Sequence, residues 1–248
     1  MTPEEEALKE AISAVAGYWH PFHEGMLQHA PRFLRGYFEL NHATLAGHVP
    51  QHLKELIFLA IDATAAHLYE PGIRYHIWTA LTKCGAAKSE IFETLQIACS
   101  VVWHTQALAM SKLAVHLMPA PPTAQSRSME AIYRDKIGRW PCWADALYNL
   151  NSAYAEAFFR FYALPWTDGQ LPAKEKALIY VAVNATPTVA CAEELDFYIE
   201  RALELGATPG EVNEAVQLSS AVAIHSCISA VPELMKTLSK MAETSDKG

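Results

Sequence analysis

Residues 49–64 read Val49-Pro50-Gln51-His52-Leu53-Lys54-Glu55-Leu56-Ile57-Phe58-Leu59-Ala60-Ile61-Asp62-Ala63-Thr64, and their outline returns 122 residues later. The second copy is Leu171-Pro172-Ala173-Lys174-Glu175-Lys176-Ala177-Leu178-Ile179-Tyr180-Val181-Ala182-Val183-Asn184-Ala185-Thr186. Farther along, Gly85, Ala86, Glu90, Glu93, Gln96 and His104 recur at an offset of 121 as Gly206, Ala207, Glu211, Glu214, Gln217 and His225. The one-residue slip falls in the turn before Gly85. Identities of such mixed chemistry at one offset are not expected by chance, so the chain reads as a tandem duplication.

Both copies have helical periodicity. In 90–117, Ile91, Leu95, Ala98, Val102, Leu108 and Leu113 broadly follow a 3.6-residue spacing. Gly85 and Gly206 each close a helical run where a C-cap favours positive φ. The next helix then starts with an acid in its first turn, Ser89 or Thr208 serving as its cap. Alternating strand patterns between turn dipeptides are missing, so the expected class is all-α. Met118-Pro119-Ala120-Pro121-Pro122-Thr123 cannot continue a helix. The expected division is therefore 1–117 and 128–248, joined by a Pro-rich linker at 118–127. Each half begins with an aromatic-rich arm, read as core or subunit contact. The first holds Tyr18, Trp19, Phe22, Phe33, Tyr37 and Phe38; the second holds Trp140, Trp143, Tyr148, Tyr154, Phe158, Phe159 and Tyr162.

Composition narrows the function classes. The 248 residues are 51% hydrophobic and 19% charged, enough for a buried core and no case for disorder. With 19 basic and 27 acidic side chains the net charge is −8, and Lys and Arg are scattered. That argues against nucleic-acid and anionic-membrane partners. The acidic start, Met1-Thr2-Pro3-Glu4-Glu5-Glu6, does not resemble a secretory signal. No uninterrupted apolar run approaches the roughly 20 residues of a membrane span. Five dispersed cysteines suit free thiols in a reducing cytoplasm and form no Cys-x-x-Cys zinc pair.

The chemistry points to the first copy. There His67, His76 and His104 accompany Glu55, Glu70, Tyr69, Tyr75 and Arg74. The second copy keeps His225, but has Tyr198 where the first has His76 and Ala177 where it has Glu55. Twenty-one residues of unbroken helix would hold Glu55 and His76 about 30 Å apart. The expected reversal is at Pro71-Gly72. A carboxylate and an imidazole meeting this way suit general acid–base work. A metal site built from His67, His76, His104 and Glu55 or Glu70 is an alternative on donor chemistry, although the spacing matches no standard ligand motif.

The pattern Leu-x-Glu-Leu-Ile, His-x-x-x-Ala-Leu, Gly-Ala-x-x-x-Glu-Ile runs through Leu53, Glu55, Leu56, Ile57, His76, Ala80, Leu81, Gly85, Ala86, Glu90 and Ile91. It resembles the carboxymuconolactone decarboxylase family, which also contains alkylhydroperoxidase D. The second copy matches at Leu178, Ile179, Ala202, Leu203, Gly206, Ala207, Glu211 and Val212. Together the copies span about 49–117 and 171–241. The resemblance implies two alkylhydroperoxidase D-like helical units packed as one pseudo-two-fold body. It also implies a homo-oligomer, with a trimer of two-repeat chains favoured.

In the family's peroxidase branch the site is a Glu, a Cys-x-x-Cys pair and a His four residues beyond the second Cys. Glu55 and His76 match, but the thiol positions fall on Tyr69 and Gly72, or on Cys191 and Glu194 in the second copy. Thiol peroxidase chemistry is therefore not expected. The decarboxylase branch implies cofactor-independent acid–base chemistry, a decarboxylation or related lyase or isomerase step with no metal, on a small carboxylated substrate, one derived from aromatic-compound catabolism being a candidate. Its expected catalytic residues are His76 as acid or base, Glu55 as its partner, and His104. Arg74 is expected to fork a substrate carboxylate, with His67, Tyr69 and His225 lining the site. The Glu55–His76 span is about two residues longer than the family's, which shifts the registration of His67, Tyr69 and Glu70. A non-catalytic binding or assembly protein is the alternative on this scaffold.

Overall fold

The computed structural model describes residues 2–16, 19–118 and 121–245; Tyr18 and the Pro119-Ala120 step of the linker lie outside them. In chain order the helices are α1 (Pro3–Ala16), α2 (Pro21–His29), α3 (Pro31–Leu45), α4 (Gln51–Ala63), α5 (Glu70–Thr82), α6 (Lys88–Cys99) and α7 (Trp103–Leu113). There follow α8 (Ala124–Ile132), α9 (Ala144–Leu150), α10 (Ser152–Thr167), α11 (Ala173–Ala185), α12 (Ala192–Glu204), α13 (Pro209–Ser219) and α14 (His225–Ser245). Among the described residues there is no strand. The fold is all-α, as the periodicity predicts.

The chain divides into two compact units, His48–Ser219 and the two terminal segments taken together. The larger unit is built on the duplication: α4–α5–α6 is one copy and α11–α12–α13 the other. α4 packs on α5 and α6, α11 on α12 and α13, and α4 and α11 on each other. Both central helices are apolar nearly all round because they are covered on every side. Leu56, Ile57, Leu59 and Ala60 are fully buried on α4, as are Ala177, Leu178, Ile179 and Val181 on α11.

Reciprocal polar ties join the copies. Lys54 on α4 pairs with Glu214 on α13 at 2.9 Å, and its counterpart Lys176 on α11 pairs with Glu93 on α6 at 2.8 Å, all four side chains buried. The same carboxylates accept the N–H of Val49 (2.8 Å, Glu214) and of Leu171 (2.9 Å, Glu93), which precede the two central helices.

The local turns repeat as well. Gly85 and Gly206 take positive φ, 71° and 88°, as the C-cap reading predicts. Thr208 and Glu211 form a reciprocal capping box, with Thr208 N–H donating to Glu211 at 2.7 Å and Glu211 N–H to the Thr208 hydroxyl at 3.1 Å. In the first copy Glu90 accepts the Ala87 N–H at 2.6 Å. Ser89 is not the cap there: it lies inside α6 and donates to Gln170.

Two boundaries differ from expectation. The chain reverses between Thr64 and Tyr69, not at Pro71-Gly72. Leu68 adopts φ 49°, its counterpart Ala190 φ 44°, and Tyr69 N–H bonds back to the Asp62 carbonyl at 2.9 Å. Pro71 instead occupies the first turn of α5, where its missing N–H costs nothing. The linker is also shorter than expected, because Thr123 caps α8, accepting Ser126 N–H at 3.0 Å, so helix resumes at Ala124. Most of the second aromatic arm is buried, Trp143, Phe158, Phe159 and Tyr162 packing with Trp103, while Tyr154 is exposed.

The smaller unit has a core of Leu8, Ile12, Phe22, Met26, Leu27, Leu34 and Ile224. α2 approaches α14 closely at Gly25, where a Cβ would come within 2.5 Å of Val231. Of the first aromatic arm, Phe22 is core while Phe33 is 57% exposed. Pro209–Thr244 forms a helical run of 36 residues that meets the length and mean hydropathy of a membrane span. Glu211, Glu214 and Glu233 interrupt it, so it is not an uninterrupted apolar stretch. Within the run Glu214 is committed to the buried pair with Lys54.

Candidate active site

The antiparallel arrangement of α4 and α5 puts Glu55 against His76, with Oε2 2.7 Å from Nδ1. Both side chains are largely covered, 5% and 16% exposed. Gln51, one turn earlier on α4, donates to Glu55 Oε1 at 2.7 Å. Phe58 stacks on the imidazole at 4.9 Å, and Tyr75 meets its edge at 5.1 Å. Carboxylate and ring stacking together fix the imidazole's tautomer and orientation.

The far side of the ring faces Asp62. It lies seven residues after Glu55, two helical turns on, and so on the same face of α4. Its Oδ2 is 3.8 Å from His76 Nε2, and its Oδ1 is 3.8 Å from His67 Nε2. Both gaps exceed a direct hydrogen bond and suit a bridging water. Burial pushes the Asp62 carboxyl up to about 7. Burial holds His67 below the usual imidazole range, while Tyr69 is raised by burial and by the charge of Asp62. The backbone makes room for this: a Cβ on Gly72 would fall 1.8 Å from Asp62 Oδ2. Asp62 is the site residue that the sequence reading missed. Its signal was a polar residue in an apolar helix, matched by Asn184 in the second copy.

Of the other expected site residues, His67 and Tyr69 adjoin Asp62, and Arg74 and His104 stand apart from the pair. His67 and Tyr69 lie beside Asp62, their rings 5.9 Å apart. Arg74 is not brought to the pair: its guanidinium is 76% exposed and bridges to Glu70 on the same helix. His104 is not there either. It lines a separate recess in the second copy with Arg139, Asn184, Glu194 and Tyr198. Burial lowers its pKa, with Glu194 and Asn184 opposing that shift. His225 opens α14, in the smaller unit. The metal set written from the sequence, which needed His104 and allowed Glu70, is therefore not assembled.

In the second copy Tyr198 stands where His76 does and stacks on Tyr180 at 4.2 Å. Ala177 replaces Glu55, so that place holds no imidazole–carboxylate pair. Glu194 is engaged by Arg139 and by Trp103 Nε1 at 3.0 Å. Neither copy has a dithiol, and all five cysteines are free.

The sequence profile of the carboxymuconolactone decarboxylase family matches residues 31–115 and again 152–230. Among solved structures, one provisionally described as a gamma-carboxymuconolactone decarboxylase subunit from Burkholderia xenovorans LB400 superposes with a TM-score of 0.86 at 26% identity. The match covers 97% of this chain and 100% of that one. No curated protein matches the chain. Two profile matches in tandem, on a fold shared over nearly its whole length, place this chain in the carboxymuconolactone decarboxylase family.

Proposed function

We propose that the protein is a cofactor-independent acid–base enzyme that decarboxylates a small carboxylated molecule, with His76 Nε2 as the proton-carrying atom. The observation that carries this reading is the 2.7 Å Glu55–His76 contact with Asp62 beyond it. Glu55 holds Nδ1, which leaves Nε2 to exchange protons. Asp62, titrating near neutrality, can return a proton to that nitrogen through water. As the C–C bond breaks, its electron pair stays on the substrate carbon, carbon dioxide leaves, and the carbon takes the proton from His76. Water then reprotonates the imidazole through Asp62. The family supports the reaction class, and a ring-cleavage acid or lactone is the proposed substrate. The test is carbon dioxide release from gamma-carboxymuconolactone: His76→Ala should abolish it, and retained turnover would overturn the role given to His76.

A metal-dependent reading has one observation in its favour, that Asp62 lies 3.8 Å from an imidazole nitrogen of both His67 and His76. Such donors suit a zinc- or iron-type ion. Stoichiometric metal in purified protein, with activity lost to a chelator, would establish it over the metal-free mechanism. We further propose a trimer in the cytoplasm. Exposed Trp78, Leu81 and Phe92 on the larger unit support assembly, and five free thiols support the compartment. Light scattering tests the first, and fractionation of the source cells the second.

A further inference from the structure

The second copy lacks the acid–base pair, yet it has a recess at the corresponding place. Counting its open mouth, the recess holds about 370 Å³ of empty space. Its walls are the rings of Trp103, Tyr133, Tyr180 and Tyr198. Tyr162 also lines it, only 7% exposed, and its buried hydroxyl has no hydrogen-bond partner among the described residues. A buried hydroxyl left unpaired is costly, so this group points to a bound partner.

We propose that this recess binds a small uncharged aromatic ring carrying an oxygen, of the phenol class, as a site separate from the Glu55–His76 pair. The charges select that class. Arg139 and the buried Glu194 neutralise one another, and Arg139 also lies 3.9 Å over the Phe197 ring. A ligand carboxylate would add an uncompensated anion beside Glu194, and a cation would face Arg139. Burial holds His104 below the usual imidazole range, which disfavours the protonated ring that an anion would need. An oxygen-free ring would suit the aromatic walls but leave Tyr162 unpaired. A phenol satisfies both: its face stacks on the tyrosines, and its hydroxyl pairs with that of Tyr162.

Calorimetric titration of the full chain with phenol, benzoate and toluene tests this. Phenol should saturate at one per chain, with the other two at least tenfold weaker. Tyr162→Phe should weaken phenol at least fivefold without lowering Tm, because the lost hydroxyl had no partner. Glu55→Gln should leave phenol binding unchanged. No saturable binding, benzoate as tight as phenol, or unchanged affinity in Tyr162→Phe would each overturn the proposal. If Tyr162→Phe melts lower, Ser100→Leu, which enlarges a lining side chain, must abolish binding; retention overturns the proposal.

Discussion

Tyr198 lies against Tyr180 with ring centroids 4.2 Å apart and planes 4° from parallel, repeating the stack of His76 on Phe58 at 4.9 Å. The two copies thus share the same ring-on-ring contact between their paired helices, while only one has an imidazole in it. They share the packing and differ in the chemistry it carries.

The Glu55–His76 contact predicts a division of labour in kinetics. Glu55→Gln retains a hydrogen bond but loses the carboxylate that holds the imidazole. It should lower kcat about 10²-fold with little change in KM and move the pH profile, while His76→Ala should cost about 10²–10⁴-fold. Steady-state rates across pH check both.

Asp62 makes stability depend on pH. Its carboxyl is raised from 3.8 to about 7 in the fold. Between those values the folded chain binds more protons at this group than the unfolded chain, so this contribution is full below about pH 4 and lost as pH rises through 7. His67, His76 and Tyr69 face the same carboxyl. Relative to Asp62→Asn, the wild type should lose stability from pH 4.5 to pH 8, read by urea unfolding of both proteins. An unchanging difference would remove the burial argument.

The buried pairs predict non-additivity. Lys54→Met alone strands Glu214 and should destabilise by about 3–5 kcal/mol, whereas Lys54→Met with Glu214→Leu should be far milder. Equal losses in the single and double variants would show that the charge itself was not the issue.

Gly72→Ala puts a methyl group where Asp62 Oδ2 lies, 1.8 Å from the added Cβ. Moving Asp62 or α5 aside should cost about 1–3 kcal/mol and reduce turnover together. Thermal melts and rates on one sample check this; wild-type behaviour in both would contradict the packing.

The sequence by itself determined the helical class, the duplication, the family and the Glu55–His76 partnership. Each rests on local periodicity or on residue types at a fixed offset, which chain order preserves. It placed the reversal wrongly because Pro71-Gly72 is a strong turn signal, whereas Leu68 carries no mark of the positive φ that makes the bend. It grouped His104 with His76 for nearness along the chain, but α6 and α7 carry His104 to the recess of the second copy. Arg74 looked like an anion fork until its helix faced it outward onto Glu70. Asp62 became a site residue only once the fold buried it beside two imidazoles. Packing, not sequence order, sets the dielectric around a carboxyl and the neighbours it meets, so only the tertiary structure decided which polar residues form the site.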